Sequence, residues 1–336
     1  MFWSCSGFSF VYLVEDASEH RLLAVKKIRC PFGSQAVADA MRELDMYRMF
    51  RHEHIIQVLD TALVTESDGS KTIYMFLPYY KRGNLQDCIN ANNVNKTHFS
   101  EPLLLRLILQ VCYALRVLHT YRLPEIPVTH PEEFNTITGQ PYLTASPVTD
   151  NLHSPQMSYS TTFYEPTEQS SDATGALVPY AHRDVKPGNI LIADDGENAV
   201  LMDFGSVTRA RTSIKTRQDG LLQQDIAAEH STMPYRAPEL YDVKTGSELN
   251  EKVDIWSLGC TLYAAAYGQN PFEATMNDMG GSMALTILNG QYIFPSHDPY
   301  SEGFRDLIRC MLIVDPTQRS DVHEVIAIIE RLLSTL

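Results

Sequence analysis

Several common features are missing from this chain of 336 residues, and each absence narrows what it can be. There is no C-x-x-C pair and no His–Cys spacing suited to zinc. The six cysteines (Cys5, Cys30, Cys88, Cys112, Cys260 and Cys310) are scattered, so they read as small apolar fillers in a reducing, cytosolic compartment. No uninterrupted run of about 18 apolar residues occurs. The longest candidate, residues 103–118, is cut by Arg106 and Arg116 and reads as a buried amphipathic helix. The start, Met1-Phe2-Trp3, lacks the basic region and cleavage pattern of a signal peptide, and it lacks the Gly at position 2 that myristoylation requires. Positive charge is scarce: 27 Lys+Arg stand against 41 Asp+Glu, a formal charge of −14. That balance disfavours a protein whose main task is neutralising nucleic-acid phosphates or coating anionic membranes, and no nucleic-acid partner is expected.

What is present is a globular composition, 44% hydrophobic and 20% charged, with enough chain for a large core. Residues 10–15 and 22–28 are β-branched and aromatic runs around a polar turn, as in a hairpin. From Ala36 to Phe50, the positions Val37, Ala40, Met41, Leu44 and Tyr47 recur at helical spacing. Residues 55–64 and 72–77 predict two more strands. Beyond Pro78 the pattern becomes helical over 85–92, 102–121, 253–267 and 322–336, the last with Asp321 and Glu324 as a capping pair. Residues 124–179 fit neither half. They hold 8 Pro, 6 Ser, 9 Thr, seven acidic residues and no Lys or Arg, which predicts a disordered insert. That insert carries −7; the other 280 residues, with 27 basic against 34 acidic, carry the remaining −7.

The strongest chemical signal follows the insert. His182-Arg183-Asp184-Val185-Lys186-Pro187-Gly188-Asn189 has the form H-R-D-x-K-x-x-N, Asp203-Phe204-Gly205 follows after a strand–turn–strand stretch, and Ala237-Pro238-Glu239 closes the segment. Upstream stands Ala24-Val25-Lys26. One triplet alone means little, but these elements in order and spacing make the chain resemble the eukaryotic protein kinases. The resemblance implies an α+β bilobal fold spanning residues 1–336, with a β-rich N-lobe over 1–80 and a helical C-lobe over 81–336 interrupted by the insert. It also implies ATP and Mg²⁺ as cofactors and proteins with Ser or Thr acceptors as substrates.

Phosphoryl transfer asks a protein mostly to position groups and stabilise charge. On the resemblance, Asp184 orients the substrate hydroxyl and takes its proton, and Lys186 reaches the γ-phosphate. Lys26 holds the α/β-phosphates and pairs with Glu43, while Asn189 and Asp203 offer the hard oxygen ligands Mg²⁺ prefers. Adenine is expected between Val11 and Ala24 and the backbone near Tyr79 and Tyr80, with Leu77 at the back of the pocket. Lys186 and Thr232 point to the serine/threonine type, Thr232 bonding Asp184 and Lys186. Asp254 is expected to anchor the catalytic-loop backbone and Arg319 to pair with Glu239.

Residues 203–239 form a long activation segment, with 225–229 read as a helix. This pattern and the run Leu77-Pro78-Tyr79-Tyr80-Lys81-Arg82-Gly83-Asn84-Leu85 resemble the Numb-associated kinase family, in particular its myristoylated and palmitoylated serine/threonine branch. That likeness implies peripheral association with Golgi or vacuolar membranes, given a lipidated N-terminus upstream. Ser206, Thr208, Thr212, Ser213 and Thr216 lie among Arg209, Arg211, Lys215 and Arg217, where Arg183 could read a phosphate. The resembled branch, however, implies a helix that orders the segment without obligatory phosphorylation, so no phosphorylation switch is expected.

The glycine-rich loop departs from the pattern. Aligned on Val11, its three glycine places hold Ser4, Ser6 and Ser9, with Gly7 between. A Cβ hinders close approach of backbone to phosphate, and the first strand is expected to be nearly absent. Two explanations follow, a start that has been cut away or a weakened nucleotide site. An active serine/threonine kinase therefore stands beside a partner-binding pseudokinase as the alternative.

Overall fold

The computed structural model describes residues 2–6, 9–30, 33–123, 175–279 and 281–336. Strands β1 (Phe2–Ser6), β2 (Ser9–Glu15) and β3 (Leu22–Cys30) precede helix α1 (Gly33–Met49), and β4 (Asp60–Thr65) and β5 (Lys71–Pro78) complete an antiparallel five-stranded sheet in the order β1-β2-β3-β5-β4. The first strand is thus present, contrary to expectation: Phe2, Cys5 and Ser6 pair with Tyr12, Phe10 and Ser9. A hairpin partner on one side is enough to hold five residues extended, even with few residues ahead of them. Cross-strand partners share a face. Val11, Lys26 and Met75 form one row and Leu13, Ala24 and Leu77 the next, so the residues named for the nucleotide pocket sit on one side of the sheet.

The strand predicted from residue 55 begins only at Asp60. Ile55 and Ile56 are consecutive apolar residues, both buried, which period-2 alternation cannot accommodate on one face. Their segment instead bonds into the C-lobe: the Ile56 N–H donates to the Leu201 carbonyl and the Leu201 N–H to that of His54.

The C-lobe begins with α2 (Leu85–Asn95) and α3 (Glu101–His119). Asn84 and Asp87 form a capping box at the start of α2. Helix α3 is long and apolar enough to cross a membrane, but ten of its residues are buried in the body, among them Leu104, Ile108, Cys112 and Leu115. Short strands β6 (Tyr180–Ala181), β7 (Ile190–Ile192), β8 (Ala199–Leu201), β9 (Thr208–Arg209) and β10 (Thr212–Ser213) carry the catalytic loop and activation segment. Helix α4 (Arg217–His230), β11 (Glu248–Leu249) and helices α5 (Lys252–Tyr267), α6 (Pro271–Met279), α7 (Met283–Leu288), α8 (Glu302–Met311) and α9 (Val322–Leu333) follow. Every residue of α5 from Val253 to Ala266 is buried, which marks it as the axis of the lobe. Trp256 on α5 stacks on Phe272 with ring centroids 5.3 Å apart, and the Arg319 guanidinium lies 5.1 Å from its ring.

Residues 122–177 form a unit of their own. Arg122 pairs antiparallel with Leu177, and the Leu123 N–H donates to the Ala176 carbonyl at 3.0 Å. The predicted disordered insert lies outside the described residues over 124–174. Among its last five residues, 175–179, the Val178 N–H donates to the Tyr121 carbonyl, and the Pro179 carbonyl accepts the Ala210 N–H.

Candidate active site

The site is assembled from four stretches of chain. On β3, the Lys26 ammonium lies 2.6 Å from Glu43 of α1 and 3.3 Å from Asp203. Burial alone would depress the Lys26 pKa, but the Glu43 and Asp203 carboxylates outweigh it and hold the amine charged. Lys26 in turn holds the Asp203 carboxyl below the usual carboxylate range, whereas burial pushes Glu43 up. The Asp203 side chain is 41% exposed, against 15% for Lys26 and 8% for Glu43, so Asp203 is the member of this group open to a ligand.

Asp203 adopts a left-handed conformation, φ 67°, and Arg183 does so too, φ 66°. Such values cost about 1–3 kcal/mol for a residue with a side chain and persist only where the surroundings enforce them. Here hydrogen bonds do so. The buried Asp254 carboxylate accepts the backbone N–H of His182 at 2.7 Å and of Arg183 at 2.8 Å, and it bonds His119 Nε2 at 2.9 Å. Those donors hold the Asp254 carboxyl below its ordinary range although burial works the other way.

Around Asp184 the bonds converge. Thr232 donates its hydroxyl at 2.6 Å and its backbone N–H at 3.0 Å to Oδ1, and Lys186 Nζ reaches Oδ2 at 2.7 Å. Lys186 also donates to the Thr232 hydroxyl at 2.7 Å. The Asn189 amide nitrogen bonds the Asp184 carbonyl at 2.8 Å and Oδ2 at 3.0 Å, which turns the Asn189 side-chain oxygen away from Asp184. That oxygen and the open Asp203 carboxylate are hard donors, and too few to enclose a metal alone. They fit Mg²⁺, which is normally held by one or two protein oxygens with water and phosphate. Among the described residues, no group of three or more His, Cys, Asp or Glu could hold a metal.

Val11 and Ala24 lie on the Lys26 face of the sheet, and Leu77, 8% exposed, pairs with Ala24 across the strands. Tyr79 and Tyr80, both partly buried, follow β5 directly. Gly7 lies outside the described residues. Far from the cleft, Arg319 is fully buried and bonds both oxygens of Glu239, at 2.8 and 2.9 Å.

Arg183, the candidate reader of a phosphate, is enclosed by the activation-segment helix. It is 4% exposed and faces α4, where Gln223 lies 3.4 Å from its guanidinium, and its Nε has no partner among the described residues. The helix read over 225–229 is in fact α4, fourteen residues long, opened by a Thr216–Asp219 capping box. It covers the guanidinium that a phosphate would have to reach. Two of the candidate phosphate acceptors are also engaged: Ser206 donates to the His230 carbonyl at 2.7 Å, and Thr216 caps α4. Arg211 is paired with Glu251 at 2.9 Å.

Sequence reasoning missed two participants. His119 falls unnamed within the helix expected over 102–121, and Tyr47 is one apolar position among five. Yet the Tyr47 hydroxyl accepts the backbone N–H of Asp203 at 3.0 Å and of Phe204 at 3.3 Å. Neither partnership has a local signal, because both bridge residues more than a hundred positions apart.

The protein kinase domain family model matches residues 6–126 and 179–328 of the chain. Serine/threonine-protein kinase ppk13 of Schizosaccharomyces pombe is 34% identical over 324 residues, covering 96% of this chain and 87% of that protein. Serine/threonine-protein kinase ENV7 of Saccharomyces cerevisiae is 35% identical, covering 97% and 89%. Serine/threonine-protein kinase 16 of Homo sapiens is 31% identical, covering 97% and 87%. With its two lobes, its cleft and these likenesses, the chain belongs to the protein kinase domain family.

Proposed function

We infer that the chain is a serine/threonine protein kinase that transfers the γ-phosphoryl group of ATP to a Ser or Thr hydroxyl of a protein. The observation that carries this is the closed set of bonds joining Asp184, Lys186 and Thr232. In the reaction, the acceptor hydroxyl gives its proton to the Asp184 carboxylate while its oxygen forms a bond to the γ-phosphorus. The bond from that phosphorus to the β,γ-bridging oxygen breaks, and ADP leaves with the electron pair. Lys186, held beside Asp184, supplies positive charge where charge moves in the transition state. Lys26, kept charged and oriented by Glu43, binds the α/β-phosphates. Mg²⁺ on Asn189 and Asp203 would neutralise the phosphates.

Within the family, the long capped α4 and the sequence run after Leu77 favour the Numb-associated group and its lipidated branch. A place on the cytoplasmic face of Golgi or vacuolar membranes follows as part of that proposal, and cell fractionation tests it. The catalytic reading is tested by Mg·ATP-dependent phosphate incorporation into purified protein and a generic Ser/Thr peptide, beside Asp184→Ala. Loss of incorporation by about 10³-fold or more is expected in the variant. Equal incorporation by the two would end this reading and favour a partner-binding role.

A further inference from the structure

Tyr47 carries chemistry that the kinase motifs do not assign. It lies one helical turn after Glu43 on α1, so the two side chains share a face. Its ring is 3% exposed and packs on Phe204 with centroids 5.0 Å apart. Packing of that kind needs a ring but no hydroxyl. The hydroxyl is nonetheless used, since a phenolic oxygen has two lone pairs. It accepts the Asp203 amide at 3.0 Å and the Phe204 amide at 3.3 Å.

We propose that the Tyr47 hydroxyl is a positioning group for phosphoryl transfer, fastening α1, the helix that carries Glu43, to the Asp203–Phe204 backbone. The proposal rests on the kinase reading above and deepens it. Asp203 must hold φ 67° for its carboxylate to reach toward Lys26, 3.3 Å away, and into the cleft. The peptide N–H groups on either side of that strained Cα are the two that Tyr47 fixes. Glu43 lies one turn earlier on the same helix, so the placement of α1 that gives Glu43 to Lys26 also brings the Tyr47 hydroxyl to these amides. Tyr47 acts through the backbone of Asp203.

The test compares the full chain with Tyr47→Phe and Tyr47→His by initial rates over Mg·ATP, free Mg²⁺ and a Ser/Thr peptide. Phe keeps the apolar ring and loses the acceptor; His is smaller but offers a ring nitrogen to the same amides. For Tyr47→Phe, kcat/KM for Mg·ATP should fall on the order of 10–100-fold, the range expected from misplacing a reacting group. The Mg²⁺ needed for half-maximal rate should rise, the peptide KM should stay unchanged, and Tyr47→His should recover part of the loss. Wild-type kinetics in Tyr47→Phe, or a loss that follows ring volume with His worse than Phe, would reduce Tyr47 to core packing and overturn the proposal. If Tyr47→Phe does not fold, Tyr47→Met takes its place in the comparison. An inactive wild type would instead end the kinase reading. The clasp would then be judged by the shift in melting temperature that Mg·ATP produces, expected to shrink in Tyr47→Phe, with equal shifts overturning it.

Discussion

Replacing Asp254 with asparagine isolates the physical cost of holding the catalytic loop. The side chain is fully buried and accepts three hydrogen bonds, with Oδ2 taking the His182 N–H and His119 Nε2 and Oδ1 taking the Arg183 N–H. Asparagine has nearly the same shape but only one acceptor oxygen. Its NH₂ must face a donor whichever way the amide is turned. At least one charge-assisted bond, about 1.5–3 kcal/mol, is lost, and a buried N–H left unpaired adds about 1–3 kcal/mol. A total of roughly 3–5 kcal/mol is a large part of the 5–15 kcal/mol typical of a folded domain. The melting temperature should drop on the order of 10 °C. Activity should fall further than stability alone requires, since Arg183 and its left-handed backbone orient Asp184.

The pH dependence of the Asp254→Asn cost has a definite sign. The Asp254 carboxyl is held low in the folded state, so its stabilisation is present above the unfolded carboxylate value of about 3.9 and is lost as pH falls through the folded one. The gap between wild type and Asp254→Asn should be constant from about pH 5 to 8 and narrow below about pH 4. Urea unfolding at several pH values measures it. A difference under about 0.5 kcal/mol at pH 7, the scale of an ordinary surface substitution, would refute the assignment of these bonds.

Two further outcomes are expected from the activation segment. Thr232→Val keeps the shape of the side chain but removes the hydroxyl that bonds both Asp184 and Lys186. Its kcat should fall on the order of 10–100-fold while Thr232→Ser stays near wild type. Steady-state rates decide this, and a valine variant as fast as serine would exclude the role. Gly220→Ala tests the seating of α4: an added Cβ would lie 2.8 Å from the Val243 carbonyl oxygen, a backbone atom with little room to yield. Helix α4 should lift, losing the Gln224 bond to the Tyr241 carbonyl, at a cost of about 1–3 kcal/mol. Limited proteolysis of residues 203–239 should quicken, and an unchanged digestion pattern would contradict the packing described.

Much of this molecule follows from local chemistry that a sequence displays. Helical spacing placed α1, α2, α3 and α9 to within a few residues, because their buried faces recur at the helical period; α5, buried all round, stands out as a long apolar run instead. The H-R-D-x-K-x-x-N and Asp-Phe-Gly stretches pointed to Asp184, Lys186, Asn189 and Asp203 as the candidate site, and in the fold Lys186 and Asn189 bond Asp184 directly. Helices α6, α7 and α8 were not anticipated; α6 and α7 are short, and Ser282 ahead of α7 makes no side-chain cap bond, so α6 and α7 take their shape from the body they pack on.

Other features were decided only by the tertiary structure. Phe2–Ser6 is a strand because Ser9–Glu15 lies beside it, and 54–56 leave the sheet because Leu201 offers them partners. The covering of Arg183 by Gln223, the convergence of three donors on Asp254 and the Tyr47 clasp each join residues 40 to 157 positions apart. A sequence sets which groups can donate, accept or carry charge. Which buried N–H meets which oxygen depends on where distant segments come to rest, because a buried polar group must find its partner wherever the packed chain puts one.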